Sequence, residues 1–363
     1  MSRYIRHVTP VTPAAAHGLV AEVYAWAGAG SRSVDLTFHM LSPAPEVLAA
    51  GWALMWEAQL IGTASASNRA LVALGVSRVN ACGYAEAAHL ATLRRLGHED
   101  LADTIAQGGT PTDPQAAVLL DWARATGTAG GPPVPPGEPV VEYFGAALAT
   151  HFFNRLTLAM LPPGVRPVEA GPVDRAFEGS FGDAPSDPWE AFQDRGPGTS
   201  LSLLAGLPRD TAPPEWADAT PVGAAYTTLM AVAERGGDLL TPTARELVSD
   251  VIEAYRGRRI GDSGELIEAA LTELPKPEQA GARVAILAGL APEALTDAQV
   301  AAWRATSQDT TDRRLLDHRT VLLLAYGAMT AVAHIEADLT RVWALSREAR
   351  SWADHALLPT SSG

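Results

Sequence analysis

An all-α fold is what this sequence predicts, and three observations carry it. Alanine makes up nearly a fifth of the 363 residues, and a strong helix former at that density favours helices throughout. Apolar residues recur at three- and four-residue intervals over most of the chain, and no convincing series of alternating strands interrupts them. Pro and Gly concentrate in two stretches, Gly127 to Pro139 and Pro162 to Pro221, which leaves long periodic segments on either side.

Taken in order, the periodicity predicts helices at about 14–28, 44–62, 68–80, 83–96, 113–125 and 139–160. A second series follows at about 222–235, 242–256, 278–289, 297–304, 313–337 and 338–353. Thr241-Pro242 ahead of Ala244-Arg245-Glu246 reads as a helix start, because a Pro in the first turn forfeits no intrahelical bond. Gly127 to Pro139 reads as a semi-extended loop. Pro162 to Pro221 holds the best domain boundary, although Leu201 to Leu207 is apolar enough to pack back onto a domain. The expected organisation is a helical domain at 1–161, a Pro/Gly-rich connection at 162–221, a second helical half at 222–353 and a flexible tail at 354–363.

The two halves resemble each other weakly. Ala49 to Met55 is similar to Gly223 to Met230, Arg69 to Val72 to Arg245 to Val248, and Pro114 to Leu120 to Glu278 to Val284. A duplication in that register puts Arg258 near the position of Cys82.

Composition removes several function classes. With 41 acidic against 27 basic residues the net charge is −14, which argues against nucleic-acid or anionic-membrane surfaces. The one lysine, Lys276, lies between two prolines, so neither a phosphate-loop lysine nor an internal Schiff base is expected. The one cysteine, Cys82, excludes an intramolecular disulfide and any Cys-rich zinc or iron–sulfur site. The first residues contain no apolar signal core, and the longest apolar run, Val321 to Ala333, is too short to span a bilayer. A soluble cytoplasmic protein is the expectation. Glu86 and His89 form one E-x-x-H pair, but a di-iron bundle needs two, so neither a metal nor another cofactor is expected.

The informative stretch runs from Ser77 to His89. An apolar helix ends at Asn80 and a new one opens around Cys82-Gly83, so Cys82, Glu86 and His89 are expected to share a helical face. A thiol at a helix N-terminus is favoured as thiolate, and an imidazole two turns on can exchange protons near neutral pH. Each residue also has a plain reading. Cys82 reads equally as a small buried apolar group, and His89 as a core imidazole bonded to a carbonyl. Glu86 reads as a solvated helix residue that is also placed to orient His89, and Tyr84 as packing with a hydroxyl to donate. On the 139–160 helix Tyr143, His151, Asn154 and Arg155 interrupt an apolar run. Tyr143, Ala147, His151 and Arg155 fall on one face, which either lines a cavity or forms a solvated stripe. His39, ahead of Ser42-Pro43, is a further binding candidate or a turn cap.

Ser77-Arg78-Val79-Asn80-Ala81-Cys82-Gly83-Tyr84-Ala85-Glu86-Ala87-Ala88-His89 resembles the signature of AhpD-like alkylhydroperoxidases, within the carboxymuconolactone decarboxylase superfamily. Their pattern is a Glu followed by Cys-x-x-Cys-x-x-x-His. Phe38 to Pro45 and His151 to Arg155 resemble other segments of long, two-part actinobacterial members, so the similarity runs over residues 1–345. The resemblance carries Cys82 onto the first cysteine and His89 onto the histidine, and it implies two AhpD-like helical halves and a homo-oligomer. The second cysteine is Ala85 here, and Ala70 stands where the relay glutamate would fall. One thiol cannot close a dithiol cycle, so dithiol peroxidase activity is expected to be absent. The superfamily's decarboxylase branch works without a dithiol.

The leading expectation is a cofactor-independent acid–base enzyme, of lyase, decarboxylase, isomerase or cyclase type, acting on a small organic substrate in secondary metabolism. His89 would move the proton, His151 or Tyr84 would be a second donor, and Arg155 would hold an anionic group. The alternatives are a one-cysteine peroxidase working through a Cys82 sulfenic acid, and a non-catalytic helical binding protein.

Overall fold

Side-chain caps set where many of the helices begin. Asp35, Ser65, Asp113, Thr220, Thr241 and Thr296 each accept a backbone N–H from the first turn they precede, supplying a partner that the helix itself lacks. Pro45, Pro114, Pro221 and Pro242 occupy first turns, where no N–H is missed. The computed structural model describes residues 4–28, 35–128, 139–167, 195–209, 212–261, 264–306 and 311–356, with side chains to Glu348. Most of the loop expected at 127–139, much of the connection at 162–221 and the tail from 357 onward lie outside them.

The first half comprises α1 (Gly18–Gly28), α2 (Leu36–His39), α3 (Pro45–Met55), α4 (Ala66–Val79), α5 (Gly83–Arg95), α6 (Glu99–Ala106), α7 (Pro114–Ala125) and α8 (Val140–Met160). A π turn, Trp56–Leu60, extends α3. The second half comprises α9 (Pro221–Glu234), α10 (Pro242–Ala254), α11 (Gly264–Leu271), α12 (Lys276–Leu290), α13 (Asp297–Ala305) and α14 (Arg313–Ala356). Among the described residues there is no β-strand, so the fold is all-α.

Three details depart from the periodicity. Helices α6 and α11 were not expected; each is eight residues long, and α6 is closed in by left-handed turns at Gly97 and Gly108. The break expected between 337 and 338 is absent, and α14 runs straight through. Asp338 is buried within it as the partner of Arg256 and Arg258, so it is a mid-helix carboxylate neutralised from α10's end. The apolar run from Val321 also belongs to a helix long and apolar enough, by length and composition, to cross a membrane. However, 72% of its most apolar window is buried inside the fold.

Helix α4 is the hub of the first half, packed by α5, α7 and α8. Gly75 lets α7 come close, since a Cβ there would lie 2.6 Å from that of Ala123. In the second half α12 packs on α14 and α10, and Gly327 on α14 faces Ala285 of α12 at similarly close range. Helix α8 packs on both α4 and α14, and α3 packs on α9, so one apolar core runs continuously from Ile5 to Leu339. Helix α5 rests on α4 and α6, and α4 is backed by α8, which packs in turn on the second half.

Candidate active site

The site begins at the end of α4. Ala81 adopts a left-handed backbone (φ 51°), its N–H returns to Arg78 O at 3.0 Å, and the Cys82 N–H reaches Ser77 O at 2.9 Å. This is the six-to-one and five-to-two bonding of a Schellman turn, and it stops α4 and redirects the chain into α5. Cys82 is the residue immediately before α5.

Helix α5 then presents Tyr84, Ala85, Ala88, His89 and Thr92 to a cavity of about 230 Å³. These positions follow helical spacing, but the face is not the expected one. Cys82 and Glu86 are not part of the wall, whereas Ala85, at the position of the absent second thiol, is. Across from α5, Phe38 meets Trp52 edge-on at 4.8 Å and Phe153 at 5.9 Å, giving the cavity an aromatic side. The polar side comes from Gln59, Thr150, Asn154 and Thr157. Gln59 sits in the π turn, a feature that re-aims side chains, and its amide donates to Thr150 Oγ1 at 2.9 Å and Ala146 O at 3.3 Å.

His89 is partly buried, and among the described residues its ring has no hydrogen-bond partner. Burial alone pulls its pKa down to about 4, so the imidazole is neutral at pH 7 with a lone pair free. Beside it Tyr84 donates to Asp35 Oδ2 at 2.7 Å, while Asp35 Oδ1 accepts the Thr37 N–H at 2.8 Å. Asn154 donates to Ser77 Oγ at 3.3 Å, and nothing among the described residues bonds the other half of its amide.

Cys82 is fully buried. The backbone amides of Tyr84 and Ala85 and the charge of Arg259 favour its thiolate, but burial outweighs them and pushes the thiol up to about 11. This reverses the direction expected of a cysteine at a helix N-terminus. Glu86 does not orient His89, since its Oε1 accepts from Arg78 Nε at 2.9 Å.

The other candidates lie behind the wall. His151 is fully buried, with Nδ1 3.1 Å from Asn80 Nδ2 and Nε2 2.8 Å from Thr126 Oγ1. Thr126 spends its own proton on Ala123 O, so the network assigns the Nε2–H tautomer, and both ring nitrogens are satisfied. Burial and the charges of Arg155, Arg258 and Arg259 hold this imidazole well below its ordinary pKa. Arg155 does not face the cavity. It donates to Gly289 O at 2.8 Å, Gly257 O at 2.6 Å and His151 O at 2.9 Å, tying α8 to the second half. His39 Nδ1 lies 3.0 Å from the Tyr24 hydroxyl, and Tyr143 accepts from Asn68 Nδ2 at 3.2 Å; neither reaches the cavity. On α8 the lining face is thus Thr150, Phe153, Asn154 and Thr157, one step round from the Tyr143–Arg155 line. Of the nine candidates, His89, Tyr84 and Asn154 are brought together.

Sequence reasoning missed Asp35, Gln59, Arg69 and the α8 threonines. The threonines had a signal, since 150, 154 and 157 follow the i, i+4, i+7 spacing of one helix face. Arg69 had none: it donates to Gln59 O at 2.9 Å and Leu60 O at 3.2 Å, bonds Ala64 O, and pairs with Glu142 at 3.4 Å. Among the described residues no three His, Cys, Asp or Glu side chains stand close enough to hold a metal ion.

Residues 45–125 match the carboxymuconolactone decarboxylase family. Over 341 residues the chain is 34% identical to a protein of Mycobacterium tuberculosis named alkyl hydroperoxide reductase, a span of 92% of this chain and 94% of that one. No solved structure matches.

Proposed function

We propose, because the chain belongs to the AhpD-like carboxymuconolactone decarboxylase family, that its cavity carries acid–base chemistry on a small organic substrate, with His89 as the proton-transfer group. The observation that carries this reading is the neutral imidazole of His89, unpartnered among the described residues, on the cavity wall beside Ala85, with Cys82 outside that wall. A neutral imidazole with a free lone pair can take a proton from a carbon or oxygen acidified by an adjacent carbonyl. Tyr84 spends its hydroxyl proton on Asp35, so on the same wall its oxygen offers lone pairs that can hold a substrate hydroxyl in place. Isomerisation, elimination and cyclisation can each proceed through such proton movements. The apolar surroundings keep the base unprotonated until substrate charge develops beside it.

The relative's name favours a second reading, peroxide reduction through Cys82. The thiol weighs against it. With a pKa of about 11, roughly one Cys82 in ten thousand is ionised at pH 7, and the group has no face on the cavity.

The test is turnover by the purified protein on a panel of small lactones, enols and cyclic ketones. His89→Ala should lower kcat at least about a hundredfold, while Cys82→Ser should leave it within about twofold. Unchanged turnover in the histidine variant sinks the acid–base reading. Peroxide consumption that depends on Cys82 establishes the other.

A further inference from the structure

We infer that the cavity holds an uncharged single-ring molecule of about nine non-hydrogen atoms carrying one hydrogen-bonding oxygen, and that this oxygen seats against His89 and Asn154. The inference deepens the reading of His89 as the reacting group. Size comes from volume. An apolar protein cavity of roughly 150 Å³ takes up benzene, with six heavy atoms, so about 230 Å³ scales to about nine.

The ring follows from the wall. Phe38 packs edge-on against both Trp52 and Phe153, and the Phe153 ring is held in place by the Gly51 backbone, where a Cβ would lie 3.1 Å away. Phe38, set at steep angles to both other rings, makes the wall offer a face and an edge to a flat guest, which an alkyl chain of equal size uses less well. The oxygen follows from the opposite side, where the His89 ring and half of the Asn154 amide have no partner among the described residues.

The absence of charge follows from the ionic groups at the wall. Asp35 brings a carboxylate. Arg69 is spent on three backbone carbonyls and on Glu142, and Arg95 is exposed to water. An anion drawn inside would lose its hydration beside Asp35 and gain no dedicated cation in return.

Calorimetric titration of the full-length protein with three probes of about equal size tests this: 4-ethylphenol, benzoate and 1-octanol, each near nine heavy atoms. The expected result is submillimolar binding of 4-ethylphenol, with benzoate and octanol at least about tenfold weaker. Benzoate or octanol binding as tightly as the phenol, or no binding of the phenol, overturns the inference. Ala88→Phe should abolish phenol binding by filling the cavity. Should that variant fail to fold, the His89 imidazole nitrogen resonances of the wild-type protein give the location, since they must shift during the titration. Unshifted resonances place the ligand elsewhere and overturn the inference. If the phenol fails to bind while turnover still depends on His89, only this inference falls. If it binds while His89→Ala leaves turnover unchanged, the acid–base reading falls and the ligand class stands.

Discussion

The end of α4 and the end of α10 are built as the same turn and lead to opposite surroundings. Both stop on a left-handed non-glycine residue, Ala81 at φ 51° and Arg256 at φ 50°. In both, the next N–H returns five residues: Cys82 to Ser77 O at 2.9 Å, and Gly257 to Ile252 O at 3.0 Å. The register therefore pairs Cys82 with Gly257, one residue before the Arg258 that sequence similarity suggested. After Ala81 the chain starts α5, whose face lines a cavity. After Arg256 it meets solid packing: a Cβ on Gly257 would lie 1.9 Å from Ala331 O, and Arg258 is buried against Asp338. The first half keeps an opening where the second half is filled, and the second half works as the support behind the wall.

Arg155 links the two, and removing it should have the largest effect. Its guanidinium serves Gly257 O and Gly289 O in the second half and His151 O in its own helix. Burial draws its pKa down to about 9, so it remains a cation at pH 7. Arg155→Met leaves the Gly257 and Gly289 carbonyls without their side-chain donor in a dry interior, for an expected loss of at least about 3 kcal/mol in urea unfolding. A loss below about 1 kcal/mol would mean that apolar packing and the remaining bonds between the halves, such as those of Arg258 to Thr128 O and Arg304 to His7 O, suffice without Arg155.

The halves should also differ in acid. His7, His39 and His89 are each held near pKa 4, and all lie in the first 160 residues; His39 is the clearest case, being almost wholly buried. Burial is the main cause for His39, with Asp35 opposing it. The unfolded chain takes up its proton near pH 6.5 and the folded chain only near 4, so unfolding is favoured between those values. The contribution is intact above pH 6.5 and is lost as pH falls towards 4. The interval is worth (6.5 − 4) × 1.36, or about 3 kcal/mol. His39→Phe keeps a ring against Tyr24 and removes the titration. Its stability, measured from pH 7 to 4.5, should decline less steeply than that of the wild type by most of that amount. Parallel curves would show that His39 takes up its proton in the folded state.

What the sequence could and could not reveal follows from the range of the interactions. Helix positions were legible because they depend on spacing within a few residues, and so were the Thr241 cap and the α4–α5 break. The motif drew attention to His89 and to Ala85 as the missing thiol. The rotation of α5 and α8 about their axes was not legible. It is set by what packs behind them: Arg78 engages Glu86 from α4, and Gly257 and Gly289 engage Arg155 from more than a hundred residues away. Asp35 and Gln59 escaped notice for the same reason, since their place in the wall depends on Tyr84 and Thr150, distant in sequence.

The smallest effect separates the two turns directly. Ala81 is exposed, and its left-handed backbone costs an L-residue about 1–2 kcal/mol, which glycine avoids. Glycine returns about 0.4–1 kcal/mol of this as added freedom in the unfolded chain, so Ala81→Gly should raise stability by about 0.5–1 kcal/mol. Arg256 has the same backbone strain but is bonded through its guanidinium to the buried carboxylate of Asp338. Arg256→Gly relieves the strain and gives up that bond, leaving Asp338 to Arg258 and Arg341. The two substitutions should therefore differ in sign, with a gain at 81 and no gain at 256. Equal gains would mean that the α10 turn, like that of α4, is held by its backbone bonds alone and owes nothing to the arginine at its corner.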